Sequence, residues 1–290
     1  MGHLLNFIKG VIVGIGNIIP GVSGGTLAII CGVYERIIDI LSNIIKGIKE
    51  NFFFLVFFGL GAITSIGVGS ILIPLALNQA PLATILFFTG LIIGGFKLLY
   101  NKVKNHKITI YNIITLIITM GIILTFTFLN PNTEQVNFEN LDFIMVVILF
   151  LIGILAATAM IIPGISGSLL LMLLGFYEPI LNTIKNIISF NNFWHNAFVL
   201  IPFGIGCLLG IVVISIILKY LLKHYEINTY YGIIGFVVSS IVGIFYNQLD
   251  VIKEVFAANS FGINLLQVLI GIILFTLGAI LTYRLSKLEN

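Results

Sequence analysis

Charge is scarce in this 290-residue chain: 14 Lys and Arg and 11 Asp and Glu make up 9% of it, where a soluble domain carries about 25%. With 59% apolar residues and a mean hydropathy of +1.17, the chain cannot cover itself with a polar surface, which excludes a water-soluble globular fold. A net charge of +3 is too small for a nucleic-acid footprint. Only two cysteines occur, Cys31 and Cys207, both within apolar stretches; a disulfide framework or a metal pair is excluded, and both read as small packing residues. The four histidines, His3, His106, His195 and His224, fall near loops or segment ends with no pair at ligand spacing, so no metal or other cofactor is expected. The opening MGHLLNFIKGVIVGIGNIIPG has one lysine, no long uninterrupted apolar core and no small-residue cleavage site, so it reads as part of the fold rather than as a removable signal peptide.

What the chain has in abundance is apolar blocks. In the first half they run approximately over 4–19, 26–45, 52–77, 82–100 and 108–129, and in the second over 142–162, 169–188, 197–222, 229–247 and 263–284. Barrel strands would alternate in polarity over about ten residues, whereas these blocks stay apolar for about twenty. Lipid leaves helices as the alternative. The expectation is one all-α polytopic membrane domain with no separate soluble part.

Residues 18–38 read IIPGVSGGTLAIICGVYERII and residues 161–181 read IIPGISGSLLLMLLGFYEPIL, 143 positions apart, with 11 of the 21 aligned positions identical. The correspondence continues through Gly59/Gly204, Gly61/Gly206, Thr84/Thr229 and Gly90/Gly235, which divides the chain into repeats of approximately 1–135 and 136–290. In each repeat the first two blocks are joined only by PGVSGG or PGISGS. A single broken helix over 4–45 would measure on the order of 60 Å, twice the hydrocarbon thickness, so a re-entrant helical hairpin fits better, followed by three transmembrane helices. An odd number of crossings per half then requires the second half to be inserted upside down, as an inverted repeat.

Lysine and arginine placement tests this orientation, because cytoplasmic loops are enriched in both. With a cytoplasmic N-terminus, Lys9, Lys46, Lys49, Lys97, Lys102, Lys104, Lys107, Lys219, Lys223, Arg284 and Lys287 fall inside and only Lys185 and Lys253 outside. The loop with Glu134, Glu139 and Asp142 falls outside. Both termini are expected in the cytoplasm.

Duplicated Gly/Pro breaks within membrane segments point to a transporter's binding site. Each Pro-Gly-x-Ser-Gly turn precedes a helix, whose N-terminus leaves backbone N–H groups free and carries about half a positive charge, so two such ends facing one cavity make an anion site without a lysine. Pro20 and Pro163 end the first arms, while Gly21, Gly24, Gly25, Gly164 and Gly167 permit close backbone approach. Ser23, Thr26, Ser166 and Ser168 add hydroxyl donors. Small residues also serve tight helix packing, the default reading for Gly94 and Gly95, but a motif doubled in inverted halves favours a site. Membrane-embedded charges face cavities or partners: Glu35 and its twin Glu178 lie about 12 residues, roughly 18 Å along a helix, beyond the tip serines, as gating or coupling groups, with Asp39 beside Glu35. Arg36, replaced by Pro179 in the second copy, attracts an anionic headgroup or neutralises its acidic neighbours. Tyr34, Tyr177 and Trp194 read as interfacial anchors.

On PGVSGGT at Pro20–Thr26 with GVYE at Gly32–Glu35, and the weaker twin at Pro163–Ser168 with GFYE at Gly175–Glu178, nearly the whole chain resembles the bacterial polyprenyl-phosphate transporter family, long a domain of unknown function. An architecture of opposed re-entrant hairpins is similar to that of the DedA family. The second copy departs at Ser168, Leu169 and Pro179, which separates the roles of the two tips. The resemblance implies a flippase of the cell membrane that returns undecaprenyl phosphate, the C55 lipid carrier of cell-wall synthesis, from the outer to the inner leaflet, with ion or proton coupling. Its partners would be the polyprenyl phosphate and membrane lipids; a homodimer is common in such folds, though no residue here specifies one. Two other readings stand beside it. A transporter or channel for a small soluble anion would use the same helix termini. A membrane lipid phosphatase would need a nucleophile with acid/base partners, and the motif region has no such set.

Overall fold

The computed structural model describes residues 2–16, 23–129, 135–138 and 141–287. Among them the only regular structure is helical. The first half runs through α1 (Gly2–Ile15), α2 (Gly24–Ile30), α3 (Tyr34–Ser42), α4 (Ile44–Glu50), α5 (Phe52–Gln79), α6 (Pro81–Val103) and α7 (Ile110–Phe128). The second runs through α8 (Phe143–Ile161), α9 (Gly167–Leu173), α10 (Tyr177–Ile188), α11 (Phe193–His224), α12 (Glu226–Asn247), α13 (Leu249–Ala258) and α14 (Phe261–Lys287). Local chemistry sets several starts: the Thr109 hydroxyl accepts from the Asn112 N–H in a capping box at α7, and the Asp142 carboxylate accepts from the Met145 N–H at 2.8 Å at α8.

Among the described residues seven helices, α5 to α8, α11, α12 and α14, are long and apolar enough to cross a membrane, and the chain is a polytopic all-α membrane protein. Their outward faces carry Ile63, Leu208 and Ile273, each well over half exposed, a surface suited to lipid. The seventh is α8, expected as the first arm of a hairpin. Its 19 residues reach about 29 Å, a full hydrocarbon span, whereas its counterpart α1 stops at 14 residues, about 21 Å.

The second arms differ from expectation. The blocks 26–45 and 169–188 are not continuous helices, because each breaks after seven residues of helix. Gly32 (φ 73°) and Gly175 (φ 76°) take the left-handed conformation. The Gly32 N–H donates to the Ile29 carbonyl and the Val33 N–H to the Ala28 carbonyl, and the second copy repeats this with Gly175 to Met172 and Phe176 to Leu171. This double closure is a Schellman cap, which glycine adopts without a Cβ penalty. Between α9 and α10 the axis turns by 109°. The distance of roughly 18 Å from tip serine to glutamate along one helix therefore does not hold; Glu35 and Glu178 start new helices after a bend.

Helix pairing follows the repeat. α1 packs on α5 and α8 on α11, while α6 packs on α14 and α12 on α7. A Cβ added to Gly10 would overlap the Phe58 carbonyl oxygen, and one on Gly153 the Phe203 carbonyl; likewise Gly61 meets Phe7 and Gly206 meets Phe150. These glycines let backbones touch, as small residues do where burial of apolar surface drives nothing. Gly94 and Gly95 are packing residues too, against Ala279 and Ile30.

The two halves are nonetheless unequally buried. The larger apolar core surrounds α2 and α3, with Leu27 and Ile30 wholly buried among residues of α6, α11 and α12. A smaller cluster of Phe138, Leu149, Ile152, Phe176, Ile180 and Val199 lies among α8, α10 and α11. Six of the seven residues of α2 are buried, against Gly167 alone in α9. Lys9, counted with the cytoplasmic lysines, lies inside the packing of α1 at 1% exposed.

Candidate functional site

Pro20 and Gly21 lie outside the described residues, as do Glu134 and Glu139. The rest of the first tip is seen from Ser23, which holds the position preceding α2 in extended conformation (φ −105°, ψ 134°). Ser166 does the same before α9 (φ −95°, ψ 118°). In the second tip α8 ends at Ile161, Ile162 is extended (φ −68°, ψ 126°) as the residue before a proline must be, and Pro163 is buried. Gly164 turns at φ 82° against the Phe236 backbone of α12.

The tips meet. A Cβ on Gly25 would lie 3.0 Å from the Ile161 carbonyl oxygen and 3.4 Å from Pro163, so the first tip sits in close contact with the second. Tyr34, at the start of α3, donates its hydroxyl hydrogen bond to the same Ile161 carbonyl at 3.2 Å. The expected interfacial anchor is instead 5% exposed. Its twin Tyr177 is half-buried with no hydrogen bond among the described residues, and Trp194 is 76% exposed.

A cavity of about 260 Å³ brings Ser23 and Gly24 of the first tip together with Ser166, Gly167 and Ser168 of the second. Its remaining wall is Tyr177, Cys207 and apolar side chains, and no Lys, Arg, Asp or Glu lines it among the described residues. The hydroxyls differ sharply. Ser166 accepts from the Leu169 N–H at 3.4 Å and lies 2.8 Å from the exposed Ser168 hydroxyl. Ser23, 4% exposed, and Thr26, wholly buried, have hydroxyls with no hydrogen-bond partner among the described residues. A buried hydroxyl left unpaired costs about 1–3 kcal/mol, a cost that a bound acceptor removes. Cys207, read from sequence as packing, borders this cavity; Cys31 is fully buried.

The charged residues gather elsewhere. A cavity of about 400 Å³ on the far side of Tyr34 is lined by Glu35, Arg36, Asp39, Lys102 and Tyr230. Glu35 accepts from the Lys102 ammonium at 2.9 Å and from the Tyr230 hydroxyl, and Lys102 also lies 3.9 Å from Glu226. Burial pushes the Glu35 carboxyl up, but the Tyr230 and Lys102 hydrogen bonds and the lysine charge outweigh it and hold the group below its ordinary value. Asp39 pairs with Lys219 of α11 at 2.9 Å. Arg36 donates from Nε to Asn51 at 2.8 Å and stacks 4.1 Å over the Phe54 ring, away from both tips. Glu178 is exposed, with no partner among the described residues.

Lys102, Lys219 and Tyr230 were not among the residues singled out by sequence. Lys102 carried one usable signal, a cation near the end of an apolar block. Its pairing with a carboxylate 67 positions away had none.

A family model described as VCA0040-like, undecaprenyl phosphate translocase-like, matches residues 13–260. A polyprenyl-phosphate transporter of Staphylococcus aureus (strain NCTC 8325 / PS 47) is 30% identical over 245 residues, which cover 83% of this chain and 86% of the relative. A polyprenyl-phosphate transporter of Vibrio cholerae (serotype O1, strain ATCC 39315 / El Tor Inaba N16961) is 30% identical over 243 residues, 78% of this chain and 72% of the relative. The chain matches no solved structure.

Proposed function

The chain belongs to the undecaprenyl phosphate translocase-like family, and from that premise we propose that it carries a polyprenyl phosphate across the membrane, from the outer to the inner leaflet, with the phosphate held between the two tips. It is a transporter and not an enzyme, as the family and relatives are named. The observation that carries the site is the cavity of about 260 Å³ that Ser23 and Gly24 line together with Ser166, Gly167 and Ser168, the Ser23 hydroxyl being buried and unpartnered among the described residues. Backbone N–H groups at the starts of α2 and α9 and the hydroxyls of Ser23, Ser166 and Ser168 supply donors to phosphate oxygens, with Thr26 buried one turn behind.

Opposed insertion of the two repeats, with both termini cytoplasmic, puts the second hairpin on the outer side. The burial difference supports a conformation open toward that side: α9 and Tyr177 border open space while α2 and Tyr34 are sealed. Transport then exchanges these environments, exposing the first hairpin inward. Glu35 and Asp39, tied to Lys102 and Lys219, gate the inner side. Glu178 lacks such a partner and gates the outer side, and an ion gradient drives the exchange.

The test is leaflet transfer of a short-chain fluorescent polyprenyl phosphate in proteoliposomes, under ion gradients of each sign, for the native chain and Ser23→Ala/Ser166→Ala. Transfer by the native chain that is lost in the variant is the expected result. Uptake of a soluble anion with no lipid transfer would overturn the proposal.

A further inference from the structure

The cavity between the tips has two chemically distinct sectors, and only one of them suits phosphate. Polar atoms come from the tips. The other sector is formed by Ala156 and Met160 of α8, Leu171 of α9 and Phe203 of α11. Ala156 and Met160 are four residues apart and share a helix face, and Met160 is 56% exposed, so this sector runs out at Met160 onto the outer surface of α8. Passage between α8 and α11 is closed, because Gly153 and Gly206 bring those backbones into contact with Phe203 and Phe150.

Resting on the function proposed above, we infer that this apolar sector is the subsite for the first isoprene unit of the lipid, and that the tail leaves the cavity along α8 past Met160. Among the described residues no cation lines the cavity, and uncharged donors balance a monophosphate better than the higher charge of a diphosphate. An unbranched flexible thioether at the mouth suits a tail that must slide.

Cys207 reports on this subsite without any engineered label. It borders the same cavity, and the other cysteine, Cys31, is fully buried. The experiment follows the rate of Cys207 modification by a maleimide in the full chain in proteoliposomes, with Cys207→Ser as the blank. Farnesyl phosphate, farnesyl diphosphate, farnesol and inorganic phosphate are the added probes. Farnesyl phosphate is expected to protect at concentrations roughly tenfold or more below those of inorganic phosphate or the diphosphate, and Phe203→Ala to raise the concentration it needs by a similar factor. Equal protection by inorganic phosphate would remove any role for the apolar sector. Protection by the diphosphate at equal concentration would remove the charge selection. Absence of farnesyl phosphate protection with leaflet transfer intact would place the tail elsewhere and leave the proposed function standing; loss of both would end both. If Phe203→Ala fails to fold, Met160→Trp, at the exposed mouth, is expected to slow farnesyl phosphate protection while sparing inorganic phosphate, and an unchanged response would overturn the route past Met160.

Discussion

The hydroxyl of Tyr34 donates to the carbonyl of Ile161 at 3.2 Å, across 127 positions of sequence. One residue belongs to the first copy's Gly-x-Tyr-Glu segment and the other ends the helix before the second tip. Tyr34 also borders the charged cavity, so it joins that cavity to the end of α8. Removing the hydroxyl in Tyr34→Phe is expected to cost about 0.5–1.5 kcal/mol of stability and to alter the leaflet-transfer rate, while Tyr177→Phe leaves stability within about 0.5 kcal/mol. Thermal unfolding in detergent and the transfer assay check both.

Ser23→Ala should separate binding from stability. Because the Ser23 hydroxyl is buried without a partner, deleting it is expected to leave the melting temperature unchanged or slightly raised, with transfer lowered at least about tenfold. A marked loss of stability would mean that the hydroxyl has a structural partner and is not held for a ligand.

The left-handed glycines predict a paired effect. Gly32→Ala and Gly175→Ala each place a Cβ at φ above 70°, with an expected loss of about 1 kcal/mol or more per site. Asparagine should be tolerated better than alanine at both positions. Unfolding of the four variants decides whether the caps are equivalent.

The carboxylate of Glu35 gives a pH prediction with a definite sign. Its folded value lies below the ordinary one, so its stabilising contribution is present above the ordinary carboxylate range and is lost as pH falls through the depressed value. Between pH 6 and 8 the ion pair with Lys102 stays intact. Glu35→Gln is therefore expected to leave the shape of the transfer profile unchanged over that interval, and to change stability by less than about 1 kcal/mol because both partners are about half exposed. A profile that flattens in the variant would assign the titrating group to Glu35.

Membrane class and helicity were legible because they follow from composition: too few charges to face water, and apolar runs too long and continuous for barrel strands. The repeated tips were legible as identity between 18–38 and 161–181. Within those same windows the Schellman caps carried a local signal, glycine followed three residues later by an acid, the mark of one helix ending and another starting. Unbroken apolarity on both sides masked it, since hydropathy reports the environment and not the direction of the axis.

The partners of Glu35 and the inequality of the two tips were not legible, for a physical reason. Lys102 reaches Glu35, and Lys219 reaches Asp39, only because α6 packs on α2 and α11 packs on α3, and a one-dimensional pattern holds no information about which helix lies next to which. Ser23 and Ser166 occupy matching places in nearly identical segments, yet one hydroxyl is buried and unpaired and the other half-exposed and bonded. Near-identical local sequences have near-identical local preferences, and accordingly the same caps form in both. The difference in burial comes from what packs around them, a large core around α2 and a small one behind α9. Sequence by itself determined that this is a helical membrane protein with two copies of one turn; tertiary packing decided that the copies meet in a single cavity and that one is sealed while the other is open.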